Sequence, residues 1–319
     1  MTAAVTVCMP TYNRPESLER SLARLTNLDA PKGGYEIVIV DDGSPASAEI
    51  PALLESWRQR SPVPIRSRSL ARNGGPCGAR DAAWRMATSE WIAFTDDDCL
   101  PDRDWLVRLL ESASGGADVV QGRTQPDPAR SHLLTQPFAR SVSVSGPGEY
   151  FHTCNILYRR SLLEALDGFD LDFSFSAEDT DLGWRARAAG ATIVFDDGAV
   201  VTHDVVVGDW RSDLKGRRRW TDVVHMIAKH PAARSLAWKP FIYRRSHLFV
   251  FGYALALALL APAPTRRGAA VALAALLGRD LVTSGSLRRA QATLQGRLAD
   301  GYEVVLLLRE SVRQRTVLL

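Results

Sequence analysis

The stretch Trp91-Ile92-Ala93-Phe94-Thr95-Asp96-Asp97-Asp98 joins a short apolar segment to three consecutive carboxylates. The apolar residues predict a buried strand with the carboxylates at its carboxyl end. Three adjacent carboxylates repel one another unless a cation lies near them. Oxygen ligands in a cleft suit Mg²⁺ or Mn²⁺, which complete their shells with water and substrate phosphates. The stretch therefore favours a cation site that binds a nucleoside diphosphate, and the alternative is a solvated acidic loop.

Short apolar runs alternate with amphipathic segments through the first 200 residues. The other predicted strands cover residues 5–9, 37–40, 119–122 and 192–195. The predicted helices cover residues 17–28, 46–60, 79–87 and 103–113. This repeated order predicts an α/β fold with a mostly parallel sheet and helices on both faces.

Polar residues follow two further strands of this sheet. Pro10-Thr11-Tyr12-Asn13-Arg14 follows the first strand, and Asp41-Asp42-Gly43-Ser44 follows the second. Ligands of open parallel sheets bind at the carboxyl ends of the strands, so these residues are candidates for a binding site. For residues 41–44 a plain turn with a helix cap is an equally good interpretation.

Glu178 and Asp179 open a predicted helix. Carboxylates in a first helical turn are stabilised by the helix dipole, so capping is one interpretation. A carboxylate at this position that faces a cleft can also accept a proton from an attacking hydroxyl group.

Four segments together resemble the family 2 glycosyltransferases, which have the Rossmann-like GT-A fold. They are residues 6–14, residues 36–44, Phe94-Thr95-Asp96-Asp97-Asp98 and Glu178-Asp179, in the family's order and approximate spacing. The resemblance covers roughly residues 3–205. It implies a nucleotide-sugar donor and a Mn²⁺ or Mg²⁺ cofactor.

The resemblance also assigns roles to the donor side of the site. Asp42 is placed to accept a hydrogen bond from the base, and Asp96 and Asp98 match the DxD pattern that holds the ribose and the metal. Asp97 can replace either of them. The loop that holds the base and ribose supplies Pro10, Tyr12, Asn13 and Arg14.

Further roles rest on single residues. Asp179 matches the general base of the family. Glu178 beside it matches an acceptor-site or orienting residue. His203 is a candidate metal ligand or a surface histidine at a strand end, and Arg80 is a candidate phosphate contact. Arg219 and Trp220 resemble the end of a Gln-x-x-Arg-Trp motif, but Gly216 stands where glutamine is expected. A diphosphate or acceptor contact is therefore possible there, and so is a solvated or lipid-facing surface.

One base and one metal imply direct displacement with inversion. We therefore expect an inverting hexosyltransferase that moves a sugar, preferably from a UDP-sugar, to a hydroxyl group of a lipid-linked or cell-envelope glycan. The alternatives are a sugar nucleotidyltransferase of similar fold and a catalytically silent binding or scaffold protein. We expect no nucleic-acid partner, and the sequence leaves the oligomeric state open.

The composition is that of a globular protein, with 46% apolar and 24% charged residues, rather than a disordered or fibrous one. The net charge of +3 conceals two parts. Residues 1–210 carry −10 and residues 211–319 carry +13, which predicts a catalytic domain followed by a basic region. The four cysteines have no zinc-site spacing, and the start lacks the basic region of a signal peptide. We therefore expect the catalytic domain in the cytoplasm.

The basic region contains two apolar runs. The run 248–264 is at the lower limit for crossing a bilayer, and the run 268–278 is too short. Basic pairs lie on both sides of the first run, at residues 244–245 and 266–267. This pattern favours a helical hairpin lying in the membrane surface, and the alternative is a helical pair buried in a soluble subdomain. A final amphipathic helix is predicted at residues 302–315. The expected location is the cytoplasmic face of the cell membrane.

Overall fold

A computed structural model describes residues 3–46, 49–173, 175–260, 266–284 and 287–319. The chain divides into two compact units. The first consists of Met1–His132 and Ser141–Val205, and the second of Leu133–Arg140 and Val206–Leu319. The catalytic and membrane-associated roles assigned to residues 1–210 and 211–319 remain predictions.

The strands of the first unit are β1 Val5–Thr11, β2 Tyr35–Asp41, β3 Ile65–Ser69, β4 Trp91–Phe94, β5 Cys99–Pro101, β6 Val119–Pro126, β8 Ile156–Arg159 and β9 Ile193–His203. Its helices are α1 Pro15–Leu25, α2 Ile50–Arg60, α3 Pro76–Met86, α4 Trp105–Ser114, α5 Arg160–Ala165 and α6 Glu178–Ala188. The second unit contains β7 Ala139–Arg140, β10 Val206–Val207, α7 Trp210–Gly216, α8 Thr221–Lys229, α9 His247–Leu259, α10 Arg266–Ser284 and α11 Leu287–Arg313.

The eight strands of the first unit form one sheet in the order β3-β2-β1-β4-β8-β6-β9-β5. The first four of these strands are parallel. β8 runs antiparallel to both β4 and β6, while β6 and β9 are parallel. This confirms the prediction of a mostly parallel α/β sheet. The carboxyl ends of β1, β2 and β4 meet at one edge, where the polar residues were expected.

The periodic apolar residues of the helices form the core of this unit. Leu18, Leu22 and Leu25 of α1 are completely buried, as are Leu106 and Leu109 of α4. The predicted elements appear with shifted ends: β9 extends to His203, and α3 begins at Pro76. Part of the predicted helix 46–60, residues 47–48, lies outside the described residues, and α2 begins at Ile50. β3, β5 and β8 are strands that the sequence analysis did not predict.

A bulge between β6 and β9 positions the end of β9. The register shifts after Gly122, so that Arg123 pairs with Val200. The buried Asn155 amide donates to the carbonyls of Arg123 and Ala199 at 2.7 and 2.8 Å. A Cβ atom at Gly122 would lie 2.4 Å from Asn155 Oδ1, so the close approach requires glycine. Beyond the bulge β9 pairs with β5.

The second unit is mainly helical. A small apolar cluster contains Val223, Val224, Ile227, Leu307 and Leu318. The final helix, α11, covers residues 302–313 of the predicted segment 302–315 but begins at Leu287. Of the predicted apolar run 248–264, residues 261–265 lie outside the described residues. In the part of the chain that the structure describes, no helix is both long enough and apolar enough to traverse a bilayer.

Candidate active site

The three carboxylates after β4 have different surroundings. Asp97 is completely buried, whereas the side chains of Asp96 and Asp98 are 19% and 11% exposed. Thr11 Oγ1 donates to Asp97 Oδ2 at 2.7 Å, and Arg14 forms ion pairs with both Asp97 and Asp98. Burial raises the pKa of Asp97 to about 7, although the charge of Arg14 opposes this shift. Asp97 therefore fixes the loop after β1, while Asp96 and Asp98 remain accessible.

Arg80 of α3 bridges two carboxylates from different elements. Its Nη2 donates to Asp96 Oδ1 at 2.6 Å, and its Nη1 donates to Glu178 Oε1 at 2.5 Å. Burial acts to lower the pKa of Arg80, but the two carboxylates raise it above its ordinary value. The pKa of Asp96 is lowered because Arg80 outweighs the effect of burial. The buried Arg80 guanidinium thus connects the end of β4 to the start of α6. Each of its two terminal nitrogens donates a hydrogen bond to a carboxylate.

Asp179 is oriented by the residue that follows it. Its Oδ1 accepts a hydrogen bond from the Thr180 amide at 2.7 Å and lies 3.2 Å from Thr180 Oγ1. Its Oδ2 lies 3.8 Å from His152 Nδ1. Burial raises the pKa of Asp179 to about 6, although Arg80 and the hydrogen bonds from Thr180 oppose the shift. Asp179 therefore has one fixed oxygen and a second that can exchange a proton near physiological pH.

Glu178 is more deeply placed than its neighbour. The residue is 3% exposed, and its Oε2 has no hydrogen-bond partner among the described residues. Burial, and then the charge of Asp179, raise the pKa of Glu178 to about 7. The helix starts after Ala177, whose φ of +66° is in the left-handed region. Glu178 holds Arg80 from this position, and Asp179 is the more accessible carboxylate of the pair.

Asp98 and His203 lie together, as the metal prediction requires. His203 pairs with Cys99 across β9 and β5, and its Nε2 lies 3.7 Å from Asp98 Oδ1. His203 Nδ1 is 2.8 Å from the Asp204 carbonyl, which can only accept, so Nδ1 donates there and Nε2 is the ring nitrogen that faces Asp98. The Sγ of Cys99 completes a group of ligand atoms within 4.8 Å of one another. Burial raises the pKa of the Cys99 thiol, so the oxygen and nitrogen donors fit Mn²⁺ or Mg²⁺ better than a soft metal.

The loop after β1 is tied to the loop after β2. The Asn13 amide donates to Ser44 Oγ at 2.8 Å, and Ser44 Oγ donates to Asp41 Oδ1 at 2.5 Å. Asn13 has a φ of +51°, which directs the chain from β1 into α1. Pro10 is buried in β1, whereas Tyr12 is 41% exposed at the edge of the sheet. Of these residues Tyr12 presents an accessible ring at the predicted donor side.

Asp42 is buried and binds the neighbouring loop that contains Gly74 and Gly75. Its two carboxylate oxygens accept hydrogen bonds from the amides of Gly74 and Gly75, both at 2.9 Å. Burial raises the pKa of Asp42, although these two hydrogen bonds act against the shift. Asp42 therefore holds the loop before α3, the helix that carries Arg80.

Arg219 and Trp220 belong to the second unit. The Arg219 guanidinium lies over the Trp220 ring, 5.0 Å from its centroid. Burial lowers the pKa of Arg219. The role of the two residues at a diphosphate or acceptor remains a prediction.

The sequence analysis assigned no individual role to three residues of the site. Thr180 orients Asp179, Thr11 holds Asp97, and His152 lies beside Asp179. Thr180 directly follows the Glu-Asp pair, so its position was a usable signal. His152 lies on the irregular segment before β8, and no local pattern marks it.

The sequence matches the model of glycosyl transferase family 2 over residues 6–167 and that of glycosyl transferase family group 2 over residues 91–278. The chain belongs to glycosyltransferase family 2. This membership favours a sugar-transferring enzyme over both alternatives, the nucleotidyltransferase and the silent scaffold.

This glycosyltransferase is 32% identical over 209 residues to the succinoglycan biosynthesis protein ExoM of Rhizobium meliloti. That alignment covers 61% of this chain and 65% of ExoM. The chain spans a smaller share, 44%, of curated mycobacterial relatives. The chain thus matches less than two thirds of the length of these relatives.

The solved structures that share the fold include two with a bound donor. The mannosyltransferase PcManGT of Pyrobaculum calidifontis, in complex with GDP-Man and Mn²⁺, aligns with a TM-score of 0.60 and 23% identity over 97% of this chain and 87% of its own. S. aureus TarS 1-349, in complex with UDP-GlcNAc, aligns with a TM-score of 0.54 and 21% identity over 99% of this chain and 93% of its own. At these identities the likeness establishes the GT-A fold.

Proposed function

We propose that this glycosyltransferase moves a sugar from a UDP-sugar to a hydroxyl group of a cell-envelope or lipid-linked glycan, with inversion at the anomeric carbon. The observation that carries the proposal is the Asp96–Arg80–Glu178 bridge, which holds the base-bearing start of α6 beside the acidic turn after β4. In this proposal the base and the diphosphate-binding edge face the same donor. The name of ExoM, a succinoglycan biosynthesis protein, supports a glycan acceptor.

The chemistry follows from the position of Asp179. The pKa of Asp179 is raised to about 6. Above that pH its carboxylate is ionised and accepts the proton of the acceptor hydroxyl group. The hydroxyl oxygen forms the new bond to the anomeric carbon, and the bond to the donor's phosphate oxygen breaks with its electron pair on the diphosphate. The Thr180 amide keeps Asp179 oriented, because it occupies Oδ1 and leaves Oδ2 for the proton.

On the donor side, Asp98, His203 and the partly exposed Asp96 are the proposed binding residues. Asp98 and His203 would hold a divalent cation, which supplies charge neutralisation for the departing diphosphate when bound. Tyr12 and the loop fixed by Asn13 and Ser44 border the place for the base and ribose. The choice of UDP follows the TarS complex, and the PcManGT complex makes GDP the first competitor to test.

A donor screen with chelation tests the proposal. We expect one of the UDP-, GDP- and dTDP-sugars to yield free nucleoside diphosphate in the presence of Mn²⁺ or Mg²⁺, and excess EDTA to abolish this release because the diphosphate loses its counter-charge. The measurement is a coupled assay for nucleoside diphosphate. Undiminished turnover in EDTA would remove the proposed metal role of Asp98 and His203, and release of pyrophosphate instead would indicate nucleotidyl transfer.

We infer that the second unit binds the cytoplasmic face of the membrane. Four leucines of α9 are exposed although they lie in an apolar helix: Leu248, Leu255, Leu257 and Leu259. On α10, Val271, Leu281 and Val282 are also exposed. Basic residues at 244–245 and 266–267 flank α9 in the sequence, a pattern suited to an anionic lipid surface.

Vesicle flotation tests this membrane role. The protein should float with phosphatidylglycerol vesicles and stay bound in 1 M salt, because apolar insertion is not screened as surface charge is. Leu255→Asp should reduce the bound fraction severalfold. Leu171→Asp is the matched control, since Leu171 is an equally exposed leucine of the first unit. Complete release of the wild-type protein by salt would contradict insertion of α9.

A further inference from the structure

Asp204, the residue after His203, contacts both proposed metal ligands through its main chain. Its amide donates to the Asp98 carbonyl at 2.9 Å, and its carbonyl accepts from His203 Nδ1 at 2.8 Å. The other ring nitrogen, His203 Nε2, lies 3.7 Å from Asp98 Oδ1. The main chain of Asp204 therefore fixes how the imidazole is turned towards Asp98, and it holds the backbone of Asp98 beside that ring.

The Asp204 carboxylate is bound by three donors of this chain. Arg20 of α1 donates from Nη2 to Oδ2 at 2.9 Å, and Arg130, on the segment after β6, donates from Nη1 to Oδ1 at 2.5 Å. The Val205 amide also donates to Oδ1, at 2.7 Å. Hydrogen bonds between charged groups are shorter and stronger than neutral ones. Because both carboxylate oxygens have donors, the side chain anchors the turn after β9 and is not offered to the cation.

The segment after β6 binds this turn at a second point. The Asp127 amide donates to the His203 carbonyl at 2.9 Å, and the Arg130 amide donates to the Asp127 carbonyl at 3.0 Å. One short segment therefore holds the main chain of His203 and, through the Arg130 guanidinium, the side chain of Asp204. Together, Arg20, Asp204 and Arg130 form what we term the Asp204 clamp. It joins α1, the segment after β6 and the turn after β9.

The candidate metal pair has little freedom to compensate for a misplaced ligand. The side chains of Asp98 and His203 are each 11% exposed, and Asp98 Oδ2 accepts from Arg14 Nη1 at 2.6 Å. Oδ1 is thus the oxygen of Asp98 that faces His203. Mg²⁺ requires nearly ideal octahedral geometry. Residues that orient a ligating histidine typically contribute about ten- to a hundredfold to metal affinity. Rotation of the imidazole away from Asp98 should therefore weaken cation binding even when both ligands are present.

We propose that Asp204 is a positioning residue of the metal site: the clamp holds its main chain, and its carbonyl fixes the His203 ring so that Nε2 and Asp98 Oδ1 bind one cation. The inference deepens the proposed function and rests on the metal role given there. It adds Arg20, Asp204 and Arg130 as residues that support the site without touching the cation. The alternative is an ion-pair network that only stabilises the fold, and exposed pairs of that kind contribute little.

Metal binding is measured without turnover. Titration with Mn²⁺ alone, followed by the electron paramagnetic resonance signal of the free ion, gives the Kd. Asp204→Ala should raise the Kd for Mn²⁺ about ten-fold, because the main chain that orients the imidazole is no longer anchored. Asp204→Asn keeps an oxygen for the Val205 amide and should raise the Kd less, by about threefold. Asp118→Ala is the matched control, because Asp118 accepts from the Thr192 amide just before β9 and pairs with Arg159. Its Kd should stay at the wild-type value.

A double-mutant cycle separates positioning from general stabilisation. His203→Gln keeps an amide oxygen as a weaker ligand, and in this background Asp204→Ala should change the Kd for Mn²⁺ by less than about twofold, because the clamp acts through the imidazole. Mn²⁺ binding that depends on Asp204 but gives no turnover with any donor would support the inference and count against the proposed transfer. An unchanged Kd in Asp204→Ala or in His203→Gln, an equal loss with and without His203, or no Mn²⁺ binding by the wild-type protein would overturn the inference, whatever the donor result.

Discussion

Replacing Asp179 with asparagine is expected to lower kcat by about two or more orders of magnitude while leaving the affinity for the donor unchanged. The amide has nearly the shape of the carboxylate, and its oxygen can still accept from the Thr180 amide, which bonds Asp179 at 2.7 Å. What it cannot do is take the proton of the attacking hydroxyl group. Steady-state kinetics together with a UDP-binding titration measure the two quantities.

The pH dependence provides a second test of the same residue. Because burial raises the pKa of Asp179 to about 6, kcat of the wild-type enzyme should fall below pH 6, as the base becomes protonated. In Asp179→Asn, kcat should no longer show this fall below pH 6, the acidic limb of the pH profile. Asp197→Asn is the control, since Asp197 is an exposed carboxylate, and it should keep both the rate and the limb. A near-normal rate in Asp179→Asn, or a limb that persists in it, would refute the assignment of the base.

The parts of the fold that depend on local pattern were predictable. The strand 91–95, the helix spacing of Leu18, Leu22 and Leu25, and the polar strand ends all follow from periodicity and residue type. The family resemblance added Asp98 and His203 as separate candidate metal ligands. The structure brings these residues within 3.7 Å through the register of β5 and β9.

Other parts depend on contacts between distant residues and left no local signal. β8 enters the sheet antiparallel between β4 and β6, an arrangement decided by long-range pairing. The sequence could not assign separate roles to the three consecutive aspartates, because their side chains are identical. In the structure, burial distinguishes Asp97 from Asp96 and Asp98. His152 escaped notice because it is distant from Asp179 in the sequence and comes near it only after folding.

Loss of Arg80 should cost substantial stability. Arg80→Met is expected to lower the free energy of unfolding by about 3–5 kcal/mol at pH 8, because the buried Glu178 and the partly buried Asp96 lose their shared cation. Methionine fills a similar volume, so the effect reports charge more than packing. Urea unfolding followed by circular dichroism measures the difference, and Arg85→Met is the control. Arg85 lies on the same helix but is exposed, and its pairs with Asp81 and Asp167 should contribute at most about 1 kcal/mol.

The sign of the pH dependence distinguishes a charge effect from a general packing defect. Burial raises the pKa of Glu178 to about 7, and the charge of Arg80 acts to lower it. Removal of Arg80 should therefore raise the pKa of Glu178 further. The folded variant then binds more protons than the unfolded chain, so its stability falls as the pH rises through the folded pKa. The gap between Arg80→Met and wild type should therefore be smaller at pH 5 than at pH 8, and adding Glu178→Gln should restore part of the loss. A gap that is independent of pH and unaffected by Glu178→Gln would mean that Arg80 stabilises the site by packing, and the proposed bridge between the base and the acidic turn would fail.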